Sequence, residues 1–275
     1  MCLCDLHFHP NIYGLSKLRQ KKRLKLIKSA VKNARLNFIS STEHVYKAPL
    51  EAYKRLAEAV EDLGATVIPG VEWVSREKTE IIFYYDSSAS LQSALKVLKP
   101  FSRSVWDLSD LKNDTGAVIS LPHPFTPGTT GAVNRLGIEA FERLLELTDY
   151  VETHNGLSQQ FRQIWLYQSL SRLAPALAQK VEATECLPHR YWLENLGWAV
   201  GSDAHFAHEL CSCGYLEGFG QKDWFEDLRA RRHFSLVHLP APPNRPSRFS
   251  RNMASWGAVI KEAWLKKIIR ARFGF

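Results

Sequence analysis

The chain has 275 residues, 45% of them hydrophobic and 23% charged, enough apolar material for one large barrel or two ordinary domains and too much for a disordered chain. Lysine and arginine number 36 against 28 acidic residues, and the net charge of +8 favours an anionic partner such as a phosphorylated metabolite, a nucleic acid or a membrane surface. No run reaches the ~18 apolar residues of a transmembrane helix and no secretory signal opens the chain, while five cysteines make no disulfide framework at this length, so a cytoplasmic, reduced protein without a transmembrane segment is expected.

The first stretch, Asp5-Leu6-His7-Phe8-His9-Pro10, puts two imidazoles two residues apart at the end of an apolar strand. Alone, such a pair is a weak metal signal. Leu24, Ile27, Val31 and Ala34 then recur at helical spacing among Lys17, Arg19, Lys21, Lys22, Arg23, Lys25, Lys28, Lys32 and Arg35, which predicts a basic amphipathic helix covering a sheet. A short strand over 37–40 runs into Thr42-Glu43-His44. Leu50, Tyr53, Leu56, Ala57, Val60 and Leu63 predict the next helix, stopped at Gly64. The following strand starts over 66–68 and continues through Pro69-Gly70 to Val71-Glu72-Trp73.

A strand over 80–85 and a helix over 91–98 come next, and 101–114 gives no clear pattern. The strand over 117–121 ends in Pro122-His123-Pro124, and the loop over 126–131, rich in Pro, Gly and Thr, reads as exposed and substrate-facing. A helix over 138–147 precedes a strand over 150–152 that ends in Thr153-His154-Asn155. Helices over 160–173 and 190–196 flank a short strand over 180–183, and the strand over 198–201 empties into Ser202-Asp203-Ala204-His205. Pro240, Pro242, Pro243 and Pro246 then mark a linker, followed by an apolar stripe of Met253, Trp256, Val259, Ile260, Trp264 and Ile268 among basic residues. The division expected is a barrel over 1–239 and, over 240–275, a linker and basic helix that packs on the barrel or meets an anionic partner.

Short apolar strands alternating with longer amphipathic helices predict a mostly parallel α/β fold. His7, His9, His44, Glu72, His123, His154, Asp203 and His205 all fall just past the C-terminal end of a predicted strand. In a closed barrel those ends converge on one face, whereas an open doubly wound sheet gathers ligands only at its switch point. Any one of these side chains reads as an ordinary polar residue at a strand end. Six strand ends that each offer a donor suited to zinc, manganese or iron make a multinuclear metal site the expectation. Glu152 and Asn155 stand close enough in sequence to orient a ligand. Arg76, Arg103 and Arg135 are candidate phosphate clamps, since the guanidinium fork matches phosphate. Cys2 and Cys4 read as inert thiols on alternating faces of the first strand.

D-L-H-F-H, T-E-H, P-G-V-E, H-P and G-S-D-A-H, in this order over about residues 1–210, resemble the PHP family, named for polymerase and histidinol phosphatase. The resemblance implies a distorted seven-stranded (βα) TIM-like barrel and a metal-dependent phosphoesterase. His7, His9, Glu72 and Asp203 would hold the first ion, with Glu72 bridging to a second held by His123 and His154, and His44 and His205 would belong to a third. Two places depart from the family pattern. Gly14 and Leu15 stand where a further Asp or His completes the third site, and Glu43 replaces the Asp of T-D-H. Two divalent ions are therefore expected to bind firmly and a third weakly or not at all. The implied chemistry is attack on phosphorus by a metal-bridging hydroxide, with Asp203, His205 and His44 as catalytic groups and His205 or His44 protonating the leaving group. The expected substrate is a small phosphorylated metabolite or nucleotide. A nuclease using the basic helix and tail, a degenerate binding module, and hydrolysis of an unphosphorylated substrate are the competing expectations.

Overall fold

Among the described residues, nine strands share one sheet in the order β7-β6-β5-β4-β3-β2-β1-β8-β9: β1 (Cys2–Asp5), β2 (Phe38–Ser41), β3 (Thr66–Val74), β4 (Glu80–Tyr84), β5 (Val118–Leu121), β6 (Tyr150–Asn155), β7 (Gly197–Gly201), β8 (Ser212–Leu216) and β9 (Phe234–His238). The computed structural model describes residues 2–125, 131–156, 196–210, 212–216, 223–230 and 234–238. The elements expected over 160–173, 180–183 and 190–195, the loop over 126–130 and the segment 240–275 lie outside them.

β1, β2 and β3 pair in parallel, as do β5, β6 and β7. β4 is inserted between the two sets and runs antiparallel to both neighbours. The seven strands β1 to β7 form a barrel-like sheet that is nearly closed: Leu6 N–H donates to the carbonyl of Val200 (3.1 Å), and Phe8 bridges to Ala204 in parallel. β8 and β9 extend the sheet antiparallel beyond β1.

The helices follow from the apolar periodicity. α1 (Lys17–Ala34) buries Ile27, Ala30, Val31 and Ala34 and ends where Arg35 takes a left-handed conformation and donates to Lys32. α2 (Pro49–Val60) starts on a proline, buries Ala52, Leu56 and Val60, and runs through a short 3₁₀ turn to Gly64 at φ 67°. Their apolar faces pack with Phe8, Ile39 and Val67. α3 (Ser88–Ala94), α4 (Leu108–Thr115), α5 (Ala132–Leu136) and α6 (Ile138–Leu145) follow, with α3, α4 and α6 packed against the outward residues Val71, Trp73, Ile81 and Phe83. α3 lies earlier than the periodicity suggests because Ser87 caps it, its side chain accepting from Ser90 N–H.

Inside the barrel, Leu6, Phe38, Ile68, Ile82, Tyr84 and Tyr150 meet Phe225 and Leu228 of α7 (Trp224–Arg229). Cys4 belongs to this inner cluster and Cys2 packs against it. The expectation of alternating faces is corrected: residues two apart on a strand point the same way. Among the described residues, no helix is long and apolar enough to cross a membrane.

Candidate metal centre

The barrel seam sets the site. Asp203 N–H donates to the carbonyl of His7 (2.7 Å) and His9 N–H to that of Ala204 (3.0 Å), so the segments following β1 and β7 run side by side. Gly201 permits this approach, because a Cβ there would overlap His7 and the Glu152 carboxylate. Asn11 (φ 49°), His123 (φ 28°) and Asp203 (φ 50°) are left-handed, a conformation that Asn, Asp and His adopt more readily than other residues. Such backbone strain is kept only where the surroundings over-determine it, commonly at functional sites.

The side chains converge. His7 Nε2 and His9 Nε2 lie 3.0 Å apart, and Asp203 Oδ1 lies 3.5 and 3.3 Å from them. Glu72 presents Oε1 at 3.5 Å from His7 Nε2 and Oε2 at 3.6 Å from His9 Nε2. Bonds of ~2.05 Å in a tetrahedral zinc site put ligand atoms about 3.3 Å apart, so these donors have the spacing a divalent ion needs. Beyond Glu72, His123 Nε2 is 3.3 Å from Glu72 Oε1 and 3.6 Å from Glu80 Oε2, and His44 Nδ1 is 2.6 Å from Glu72 Oε2. The rings of His9 and His205 stack at 4.3 Å, and those of His9 and His44 lie at 4.6 Å. Among the described residues four donor groups could each hold an ion: His7-His9-Asp203, His7-Glu72-His123, His44-Glu72-Glu80 and His9-His44-His205, with donor atoms of each within 4.8 Å of one another.

Carboxylates behind the first two histidines orient them. His7 Nδ1 donates to Glu152 Oε1 (3.1 Å), and Glu152 Oε2 accepts from His123 N–H (2.7 Å) and from Asn155 Nδ2 (2.9 Å). Asn155 also donates to Asp203 Oδ2 (3.2 Å). Glu43 Oε1 lies 3.6 Å from His9 Nδ1, and Oε2 accepts from Asn11 N–H (2.6 Å). Each arrangement leaves Nε2 pointing inward, as a carboxylate beside the far ring nitrogen does for metal-bound histidines.

Glu43, Glu72, Glu80, Glu152 and Asp203 are all buried, and Lys47 is the single buried lysine or arginine among the described residues. Buried carboxylates at this density need cations or protons beside them. Burial alone would lower the pKa of His123, but Glu72, Asp203 and Glu80 outweigh it and push it up to about 10. Burial likewise opposes, and the carboxylates around them produce, the rise at His7 and His9. Burial and the neighbouring Glu80 raise Glu72, whereas His9 and Lys47 overcome burial to hold Glu43 at about 2. Burial and the adjacent His9 push His205 down to about 4, and its Nδ1 donates to the carbonyl of Asp203 (3.0 Å). The donor chemistry and this charge imbalance both fit divalent metal ions.

The structure gathers His7, His9, His44, Glu72, His123, Asp203 and His205, but it changes the place of His154. That residue lies within β6, paired with Val200 after a bulge, and not past the strand end. It belongs to none of the four donor groups. Three other residues at the site were not expected from the sequence, and only for Glu80 could the short 75–79 connection have pointed to it. Glu80 reaches the rim because β4 is inverted, which puts the start of that strand among the ends of the others. Lys47 is buried beside Tyr46, whose ring stacks on His44 at 5.2 Å. Arg23 reaches from α1 to donate to the carbonyls of Asn11 (2.9 Å) and His205 (3.3 Å), and lies over the Phe206 ring.

Arg76 donates to the carbonyl of Ser102 (3.2 Å), and Arg103 pairs with Asp114 (3.5 Å). Arg135, on α5, has a buried Nε with no hydrogen-bond partner among the described residues.

No protein-family model matches the chain, and no curated protein matches it. Solved structures do. PsfC from Pseudomonas syringae PB-5123 is similar with a TM-score of 0.53 and 16% identity, over 96% of this chain and 98% of that one. An Endonuclease Q bound to a 27-mer duplex with an abasic lesion at its active site is similar with a TM-score of 0.51 and 13% identity, over 83% of this chain and 56% of that one. An amidohydrolase from Chromobacterium violaceum gives a TM-score of 0.47 at 16% identity, over 86% of this chain and 97% of that one. For PsfC and the Endonuclease Q, at such identities, the likeness is one of fold.

Proposed function

We propose that the chain is a metal-dependent hydrolase of phosphate esters on a PHP-type, TIM-like barrel, acting on a small phosphorylated metabolite or nucleotide. The convergence of His7 Nε2, His9 Nε2, Asp203 Oδ1 and the Glu72 carboxylate at metal-ligand spacing carries this reading. In it, His7, His9, Asp203 and Glu72 would hold one ion. His123 with Glu72, Glu80 and His154 would hold a second, and His44 and His205 would hold a weak third. Bound zinc, manganese or iron lowers the pKa of water and neutralises charge on a phosphoryl group.

The chain's own groups divide the remaining work. Glu152 accepts a hydrogen bond from His7 Nδ1 (3.1 Å), and the Glu43 carboxylate, 3.6 Å from His9 Nδ1, attracts that edge of the second ring, so both rings keep Nε2 toward the site. Lys47 supplies positive charge near His205 and Glu43, where phosphoryl oxygens are best placed. His44 and His205 stand on that same side, within reach of a leaving-group proton, and Asp203 is set by Asn155 and by its backbone bond to His7. The hydrolytic use of this fold by Endonuclease Q supports the reading. A nuclease on the same rim is the second reading, favoured by the exposed basic face of α1.

A panel of phosphate mono- and diesters, including nucleotides and short oligonucleotides, tests the proposal on metal-reconstituted protein. Turnover of at least one ester, lost on chelation and restored by metal, is expected; none across the panel overturns it.

A further inference from the structure

We infer that the N-terminal half of α1 is a docking track for the phosphodiester backbone of a nucleic-acid strand, delivering that strand to the histidine–carboxylate rim. The inference rests on the phosphoester reading for the chemistry done at the end of the track. Lys17, Arg19, Lys21, Lys22 and Lys25 are all exposed, and no acidic residue occurs from Leu6 to Thr42. Lys17, Lys21 and Lys25 repeat at intervals of four, which places them along one side of the helix about 6 Å apart. Arg19 and Lys22 flank that line.

The arrangement works against the helix itself. The first turn carries Lys17 and Arg19 and no acid, and the Ser16 side chain makes no capping bond, so cations stand against the positive end of the helix dipole. Lysines four apart repel one another. Farther along, Lys28 pairs with Asp62 (2.6 Å) and only Lys32 and Arg35 add exposed charge; the densest run, Lys17 to Lys25, lies in the half nearer the rim. From that half, Arg23 is bonded to the carbonyls of Asn11 and His205, which ties the track mechanically to the segments carrying His9 and Asp203.

The form of the surface selects its partner. An interfacial membrane helix needs a free apolar face, but Ile27, Ala30, Val31 and Ala34 are buried against the barrel. Two leucines, Leu18 and Leu26, are also exposed, but they stand eight residues apart among the lysines and make no continuous apolar face; the regular feature of this surface is its line of point charges, and a polyanion with evenly spaced charges complements it. Cleavage at the rim adds one water across one phosphodiester: the water oxygen bonds to phosphorus, the P–O ester bond breaks, and a proton passes to the departing sugar oxygen.

Fluorescence anisotropy of a labelled single-stranded 20-mer, with metal-free full-length protein across a salt series, tests the track separately from catalysis. Five phosphate contacts predict a slope of log K against log salt of about −3.5, since each contributes about −0.7 on single strands. The triple variant Lys17→Glu, Lys21→Glu, Lys25→Glu is expected to bring the slope to about −1.4 and weaken binding at least tenfold at low salt. Those glutamates complement the helix dipole, so an unchanged melting temperature separates lost docking from lost folding. Absence of binding at low salt overturns the track, as does a triple variant that binds like the parent. Binding to phosphatidylserine vesicles but not to the 20-mer does so as well. Should the 20-mer bind as expected while no ester is turned over by metal-loaded protein, the track stands and the hydrolase reading falls.

Discussion

Glu72 divides the site into two unlike halves. On the side of His7 and His123 the neighbours are carboxylates: Glu80, Glu152 and Asp203, all buried. On the side of His44 and His205 the neighbours include cations, with Lys47 beside Glu43 and Arg23 against the backbone of His205. Gly14 and Leu15, in the segment between β1 and α1, carry no donor side chain. A half that is rich in buried negative charge attracts ions, whereas fixed ammonium and guanidinium groups repel them and attract anions. On the function proposed above, the two halves suit two tasks: the carboxylate-rich side would hold metal and the side with Lys47 and Arg23 would receive an anionic group.

The largest expected effect comes from emptying the first half. His7→Ala, or Asp203→Asn, which preserves the left-handed backbone, should abolish ester turnover and leave less than one metal equivalent per chain by elemental analysis; retained turnover contradicts the assignment. Unaltered protein should hold two equivalents, and three tightly held ones would break the contrast between the halves. A smaller effect separates the candidate ligands of the second ion. Glu80→Gln should weaken that ion by about 10–100-fold, as loss of a supporting group at a metal typically does, measured by competition with a chelator. If His154→Ala has that effect and Glu80→Gln has none, the strand-end expectation for His154 is right and the inverted strand is only structural.

Much of this was legible because a parallel barrel gathers strand ends, so a donor just after each apolar run is a positional statement. Glu80 was missed through strand direction. Only residues 75–79 separate β3 from β4, too few for the crossover that a parallel neighbour requires, so the inversion was readable from loop length even though the apolar pattern carries no polarity. The end of β6 was misjudged because Thr153, His154 and Asn155 look like a turn, while pairing of His154 and Asn155 with β7 keeps them in the strand. Lys47 and Arg23 had no signal: each acts at the end of a long side chain, and periodicity locates only the backbone that bears it.

The smallest effect is a pH signature of the acidic half. In metal-free protein His123 titrates at about 10, above the ordinary imidazole value near 6.5. A raised folded pKa means the folded chain holds this proton more tightly, so its stabilisation is complete below pH ~6.5 and is lost as pH rises through 10. Glu43, held at about 2, works in the opposite sense: its contribution is present above pH ~4.5 and disappears as pH falls through 2. Metal that displaces the His123 proton removes the alkaline loss. Melting temperatures at pH 6, 8 and 10 should therefore fall for chelated protein and stay nearly level for loaded protein, with protons released on loading at pH 8. Parallel curves would mean that the carboxylates around His123 are balanced by something other than an ion, and the distinction between the two sides of Glu72 would lose its electrostatic basis.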